Sequence, residues 1–190
     1  MGDTPRRKVR SDALRNRERL LEAARDVLGK GGPGASLEEV ARRADVGIGT
    51  LYRHFPDREA LFDAVYSRSF EELADLTEGL EARDDPVAAL REWLAAIVSM
   101  VETKRGMLGA LSIVMTEENK RTYDDAFKRV SEATEQLIRR GIEAGRIRHD
   151  ITADDVIQTI FALCYSRPPG PEWREHVLRL LNIFVDGLAR

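Results

Sequence analysis

The 190 residues are 43% hydrophobic and 33% charged, with seven prolines and one cysteine, which excludes a collagen-like, low-complexity or disulfide-stapled chain and leaves a globular one of one or two domains. The net charge of −3 is unevenly divided: residues 1–58 hold 13 basic and 9 acidic side chains, the remainder 17 and 24, so a polyanion is expected at one end only. The longest apolar runs, such as LAAIVSMV from Leu94 to Val101, fall short of the roughly 18 to 20 residues of a membrane span.

The opening MGDTPRRKVR lacks an apolar secretory core, so a cytoplasmic protein with no membrane partner is expected. A first helix is predicted from a Ser11 cap, with Leu14, Leu20, Leu21, Ala24, Val27 and Leu28 on one stripe and Arg15, Arg17, Arg19 and Arg25 largely outside it. GKGGPG, Gly29 to Gly34, ends that helix. It is spelled like a dinucleotide loop, but it follows a helix rather than a strand and contains a proline, so it reads as a turn.

SLEEVARRA then pairs Ser36 with Glu39 as a capping box and turns Leu37, Val40, Ala41 and Ala44 inward. After a tight turn at Asp45 to Gly47, a third helix begins near Ile48 and ends at Phe55-Pro56. Two short helices joined by a glycine-containing turn, behind a longer leading helix, have the spacing of a helix-turn-helix.

The third helix, VGIGTLYRHF, has two distinct sides. At about 100° per residue, Gly47, Gly49, Thr50, Arg53 and His54 fall together, while Ile48, Leu51 and Phe55 form an apolar face and Tyr52 lies at the border. The bare glycines let backbone amides approach a phosphate or base edge. Thr50 and His54 can reach base edges, Arg53 a guanine or a phosphate, and Tyr52 a phosphate through its hydroxyl while its ring stays against the core.

A long helix follows over about residues 57–80, with Leu61, Phe62, Val65, Tyr66, Phe70, Leu73 and Leu76 at helical spacing. Asp85 and Pro86 open the next, and further helices are predicted from Pro86 to about Thr103, Gly106 to about Met115, Lys120 to about Glu143, Thr152 to Tyr165 and Pro171 to Leu188. RPPGP, Arg167 to Pro171, separates the last two. Cys164, among apolar neighbours, reads as a small core residue.

The stretch SLEEVARRADVGIGTLYRHFPDREALFDAVY, Ser36 to Tyr66, with RERLLEAARDVLGKGG before it, closely resembles the amino-terminal signature of the TetR family of bacterial transcriptional regulators. The resemblance implies an all-α fold of about nine helices: a three-helix helix-turn-helix DNA-binding domain over residues 11–58, then a helical ligand-binding and dimerisation domain over 59–190. It also implies a homodimeric repressor on a palindromic double-stranded DNA operator, released by a small molecule. Position by position, Thr50, Tyr52 and His54 match DNA-contacting residues, Gly47, Ile48 and Gly49 match the start of the recognition helix, Ser36 and Leu37 fall where the second helix touches backbone, and Arg58 stands where a lysine commonly grips phosphate. Glu38 departs from members that carry a basic residue there. The arm Arg6 to Arg10 reads equally as a minor-groove contact or a solvated tail.

In the body, Val156, Ile157, Ile160, Phe161, Leu163 and Cys164, with Trp173, Val177, Leu180, Leu181, Phe184, Val185 and Leu188, spread over arcs wide enough to serve a core and a partner at once. Val156, Ile160, Leu163, Trp173, Val177, Leu181, Phe184 and Leu188 are the candidates for a four-helix dimer interface. Trp93, Met100, Met107, Leu111, Met115 and Phe127 are candidates for lining a ligand pocket and equally ordinary core residues. No cofactor is implied. His54, His149 and His176 are scattered without metal-ligand spacing, and no nucleophile has a sequence-supported base, so an enzyme is the weaker rival. An architectural DNA-binding protein without ligand control is the other.

Overall fold

The computed structural model describes residues 5–30, 35–111 and 117–190. They form eight helices in chain order: α1 (Pro5–Leu28), α2 (Leu37–Arg43), α3 (Ile48–His54), α4 (Arg58–Glu81), α5 (Pro86–Leu111), α6 (Glu117–Glu143), α7 (Ala153–Tyr165) and α8 (Trp173–Leu188). Among the described residues there is no strand, only an isolated bridge between Ile147 and Ala189, and no helix is long and apolar enough to cross a membrane.

The chain divides into two compact units. One holds Met1–Arg68 with Thr103–Ile113, the other Ser69–Glu102 with Val114–Arg190, so α4 and α5 each contribute residues to both.

In the first unit, Leu20, Leu21, Ala24 and Leu28 of α1, Leu37, Val40 and Ala41 of α2, and Leu61, Phe62 and Val65 of α4 are buried. The expected stripe of α1 holds in its second half, whereas Leu14 is 61% exposed. Among the described residues the helix is already formed at Pro5, ahead of the start expected at Ser11. Arg6 to Arg10 therefore lie on a helix.

Eight helices replace the expected nine because α5 runs unbroken through Gly106, where the sequence reading starts a new helix. The glycine is there for a close approach. A Cβ on Gly106 would lie 1.7 Å from the carbonyl oxygen of Gly29, so the carboxyl end of α5 passes against the end of α1 backbone to backbone. Two helices can meet that closely only where side chains are missing.

The second unit is built around Leu90, Trp93, Leu94, Ile97 and Val98 of α5, Val130, Leu137 and Ile138 of α6, and the buried faces of α7 and α8. Its buried polar groups are paired. The Trp93 indole N–H donates to Thr134 Oγ1 at 2.9 Å, Thr134 donates to Val130 O at 2.7 Å, and the Trp173 indole N–H donates to Cys164 O at 3.0 Å. The expected helix starts are present: Asp85 Oδ1 accepts from Val87 N–H and Ala88 N–H, and Thr152 and Asp155 form a reciprocal capping box.

Candidate nucleic-acid interface

α2 buries Leu37, Val40 and Ala41 and is capped by Ser36, whose Oγ accepts from Glu39 N–H at 3.2 Å. Only half of the expected capping box forms. The Glu39 carboxylate turns away from the Ser36 backbone and takes two hydrogen bonds from the Arg42 guanidinium, at 2.7 and 2.6 Å. A bidentate, charge-assisted pair outcompetes a single bond to a backbone N–H, and it holds the Glu39 carboxyl below its usual range.

The turn leaves α2 through bonds from Asp45 N–H to Arg42 O and Val46 N–H to Ala41 O. Asp45 has φ 53°, a left-handed conformation that short polar side chains tolerate better than most. Its carboxylate accepts from Arg19 Nη2 at 3.0 Å, which ties the turn to α1. Arg43 likewise bonds Asp26 at 2.8 Å, and Arg68 pairs with Glu18. These arginines act as internal ties of the first unit.

α3 begins at Gly47, which occupies the cap position with φ −69° and no side-chain bond. That φ is open to any residue, and a Cβ on Gly47 or Gly49 would meet nothing within 4 Å. Neither glycine is therefore required by the backbone or by packing within the chain. The cost differs between them: glycine is accepted at a cap, whereas Gly49, inside the first turn, gives up roughly 1 kcal/mol of helix propensity.

The helix is anchored by Leu51 and Phe55, both fully buried or nearly so, with the Arg17 guanidinium 5.4 Å over the Phe55 ring. Ile48, expected on the same apolar face, is instead 39% exposed. A helical wheel gives direction but not reach, and at the first residue of α3 the neighbouring helices no longer cover that direction. Tyr52 is 47% exposed, more open than a ring lying against the core. Gly47, Gly49 and Arg53 are exposed, and Thr50 and His54 half-buried. The polar side of α3 is thus outward.

Of the α2 candidates, Ser36 is half-buried and Leu37 buried, so Leu37 can offer an outside partner its backbone alone. Arg58, exposed overall, donates from Nη1 to Leu111 O at 3.0 Å, at the last turn of α5. One donor is so engaged; an arginine has five. The sequence pattern missed the ties of Arg19 to Asp45 and Arg43 to Asp26, which join residues 26 and 17 positions apart. The Glu39–Arg42 pair, at helical spacing, was open to discovery from the sequence.

The pocket candidates fare unevenly. Met107 and Leu111 are buried in the first unit, Trp93 and Met100 in the second, and Met115 lies outside the described residues. Phe127 is 47% exposed and packs against Phe161, ring centroids 5.9 Å apart, so it lies on the surface rather than in an enclosed pocket. Of the interface candidates, Val156, Ile160, Trp173, Val177, Leu181 and Leu188 are buried by their own chain, which takes their side chains out of reach of a second copy. Leu163 and Phe184 remain half-buried. The apolar side of α8 that does face outward carries Leu180 and Phe184, half-buried, and Ile183, 63% exposed.

Comparison with known proteins gives a consistent picture. A family model for bacterial regulatory proteins of the tetR family matches residues 20–65, and one for the carboxy-terminal domain of SbtR-like transcriptional regulators matches residues 85–190. The transcriptional repressor DhaR of Mycobacterium sp. strain GP1 is 26% identical over 174 residues, covering 86% of this chain and 81% of that one. The repressor KstR of Mycolicibacterium smegmatis is 41% identical over 70 residues, 36% of this chain and 34% of that repressor, so the match spans about a third of its length. Among solved structures, a TetR transcriptional regulator from Streptomyces coelicolor is 34% identical with a TM-score of 0.74, over 91% of this chain and 98% of that one. A second, from Mycobacterium vanbaalenii, is 29% identical with a TM-score of 0.70, over 96% and 99%.

Proposed function

Because the chain belongs to the TetR family of bacterial regulatory proteins, and is therefore a DNA-binding transcriptional regulator rather than an enzyme, we propose that it represses transcription as a homodimer on a palindromic operator and is released by a small molecule. The observation that carries the DNA side is α3 itself. Leu51 and Phe55 hold it to the first unit, while Gly47, Gly49, Tyr52 and Arg53 are exposed, Thr50 and His54 are half-buried beside them, and space is open beyond the glycines.

On this reading residues 11–58 are the DNA-binding domain, and α3 enters the major groove with its amino-terminal residues toward base edges. Tyr52, the Ser36 hydroxyl, the Leu37 backbone amide and Arg58 take phosphates, which fix orientation without reading sequence. Two copies related by a two-fold axis place their α3 helices about one turn of DNA apart, so the operator is palindromic. Residues 59–190 carry dimerisation and ligand response, with α4 as the link. The protein works in the cytoplasm, where its DNA is. The word repressor in the names of DhaR and KstR supports negative control.

The second copy docks on the outward side of α8, at Leu180, Ile183 and Phe184, with Leu163 of α7. An apolar side chain as open as Ile183 gains by being covered. Ile183→Glu is expected to shift the dimer to monomer at micromolar concentration in sedimentation experiments and to weaken operator binding with it; an unchanged dimer contradicts the assignment. The effector is taken up by the second unit, near Trp93 and Met100.

Selection of bound fragments from a random or genomic DNA pool tests the whole reading. The expected product is a two-fold symmetric sequence, protected on two successive major grooves and bound less tightly as salt rises. Even coverage of unrelated DNA, with no enriched sequence, makes the protein an architectural binder instead.

A further inference from the structure

Arg53 folds back along its own helix. Its Nε–H donates to Gly49 O at 3.2 Å and its Nη2 donates to Thr50 Oγ1 at 2.8 Å. Both bonds leave from one edge of the guanidinium, the edge shared by Nε and Nη2. The other edge, with one N–H on each terminal nitrogen, presents two parallel donors. Arg19, Arg42 and Arg43 are each paired with a carboxylate of their own chain, Arg42 through two bonds. Among the described residues Arg53 has no such partner, and its side chain is exposed.

Two side-by-side donors fit two acceptors, and DNA offers that arrangement on a phosphate or on the N7 and O6 edge of guanine. The two internal bonds decide between them. A phosphate accepts from many directions, so a mobile guanidinium serves it as well as a fixed one. A base edge is planar and tolerates little rotation, so it benefits from a guanidinium whose plane is already set, with less side-chain freedom left to lose on binding. Thr50 supplies part of that fixation and, by accepting from Arg53, directs its own hydroxyl hydrogen away from it. Gly47 and Gly49 add no side chain that would keep the base away.

We infer that Thr50 and Arg53 act as one unit that selects a guanine in each operator half-site, Arg53 reading the base and Thr50 serving as the positioning residue that holds its plane. This rests on α3 being the recognition helix. It deepens that reading by making position 53 a source of specificity rather than of general affinity.

The test uses the operator enriched by the full-length protein, resynthesised with 7-deazaguanine at one guanine at a time and titrated against wild type, Arg53→Ala, Thr50→Val and Thr50→Ser. Far-UV circular dichroism checks that each variant stays folded. At one guanine per half-site, loss of N7 is expected to weaken the wild type roughly tenfold and to change Arg53→Ala little. Thr50→Val is expected to lose much of that discrimination, and Thr50→Ser, which keeps the hydroxyl, to restore it. If Arg53→Ala weakens all fragments equally and lowers the salt slope by about one, Arg53 holds a phosphate and the inference fails while the recognition helix stands. If Thr50→Val discriminates as the wild type does, Thr50 has no positioning role. If the wild type enriches no sequence, the reading beneath has failed first.

Discussion

α2 and α3 are neighbours of seven residues each, and they are built on opposite plans. α2 has a serine cap, three buried side chains and an internal Glu39–Arg42 pair. α3 has a glycine cap without a side-chain bond and buries one residue of its own span, Leu51, with Phe55 just beyond its end. One helix has a side-chain cap and three buried anchors; the other, although Arg53 bonds Thr50 along its side, has no side-chain cap and one anchor. The difference teaches where to look for function: an element without the side-chain cap and most of the buried anchors of its neighbour is held in place for what its surface meets.

The contrast breaks most severely if the anchor of α3 is removed. Leu51→Ala is expected to destabilise the first unit by about 2 to 5 kcal/mol, read as a lower urea midpoint, with operator binding lost together with fold. Tyr52→Ala with His54→Ala attacks the other face. Operator affinity should fall by roughly a hundredfold, on the scale of two lost DNA contacts, while the unfolding curve stays within about 0.5 kcal/mol of wild type, as surface changes do. A smaller change of opposite signs is expected at Gly49. Gly49→Ala should raise stability by up to about 1 kcal/mol, since its Cβ enters open space, and should weaken operator binding.

The weakest effect belongs to α2. The Glu39 carboxyl is held below its usual range by the hydrogen bond from Arg42, so the pair supports the fold above the ordinary glutamate range and is lost as pH falls through the depressed value. Glu39→Gln should flatten the acid side of the first unit's stability profile. The pair is solvent-exposed, so the change is slight.

Local signals carried much of this into the sequence. The stop at Gly29, the Ser36 cap, the turn before α3, the Asp85 and Thr152 starts and the break at RPPGP each depend on residues a few positions apart, and each appears where the sequence places it. Readings that depended on distant partners did not. Gly106 reads as a helix start until Gly29 is seen against it. Ile48 lies on an apolar side without a neighbour to cover it, and Phe127 is an aromatic on the outside. Broad stripes on α7 and α8 announced more apolar surface than one core needs, but which half faces inward is set by tertiary packing. The sequence picked Val156, Ile160, Trp173, Val177, Leu181 and Leu188 for a partner, and the chain itself covers them. For the candidate site, composition and spacing located α3 and its polar side; the bonds of Arg53 to Thr50 and Gly49, and of Arg58 to Leu111, became visible only in three dimensions.

Amide hydrogen exchange of the full-length protein, with and without its selected operator, compares the two short helices directly. The account predicts that DNA slows exchange most across Ile48 to His54 and the turn before it, while the amides of Val40 to Arg43 change little. Protection concentrated elsewhere, with α3 exchanging as fast on DNA as in its absence, would contradict it.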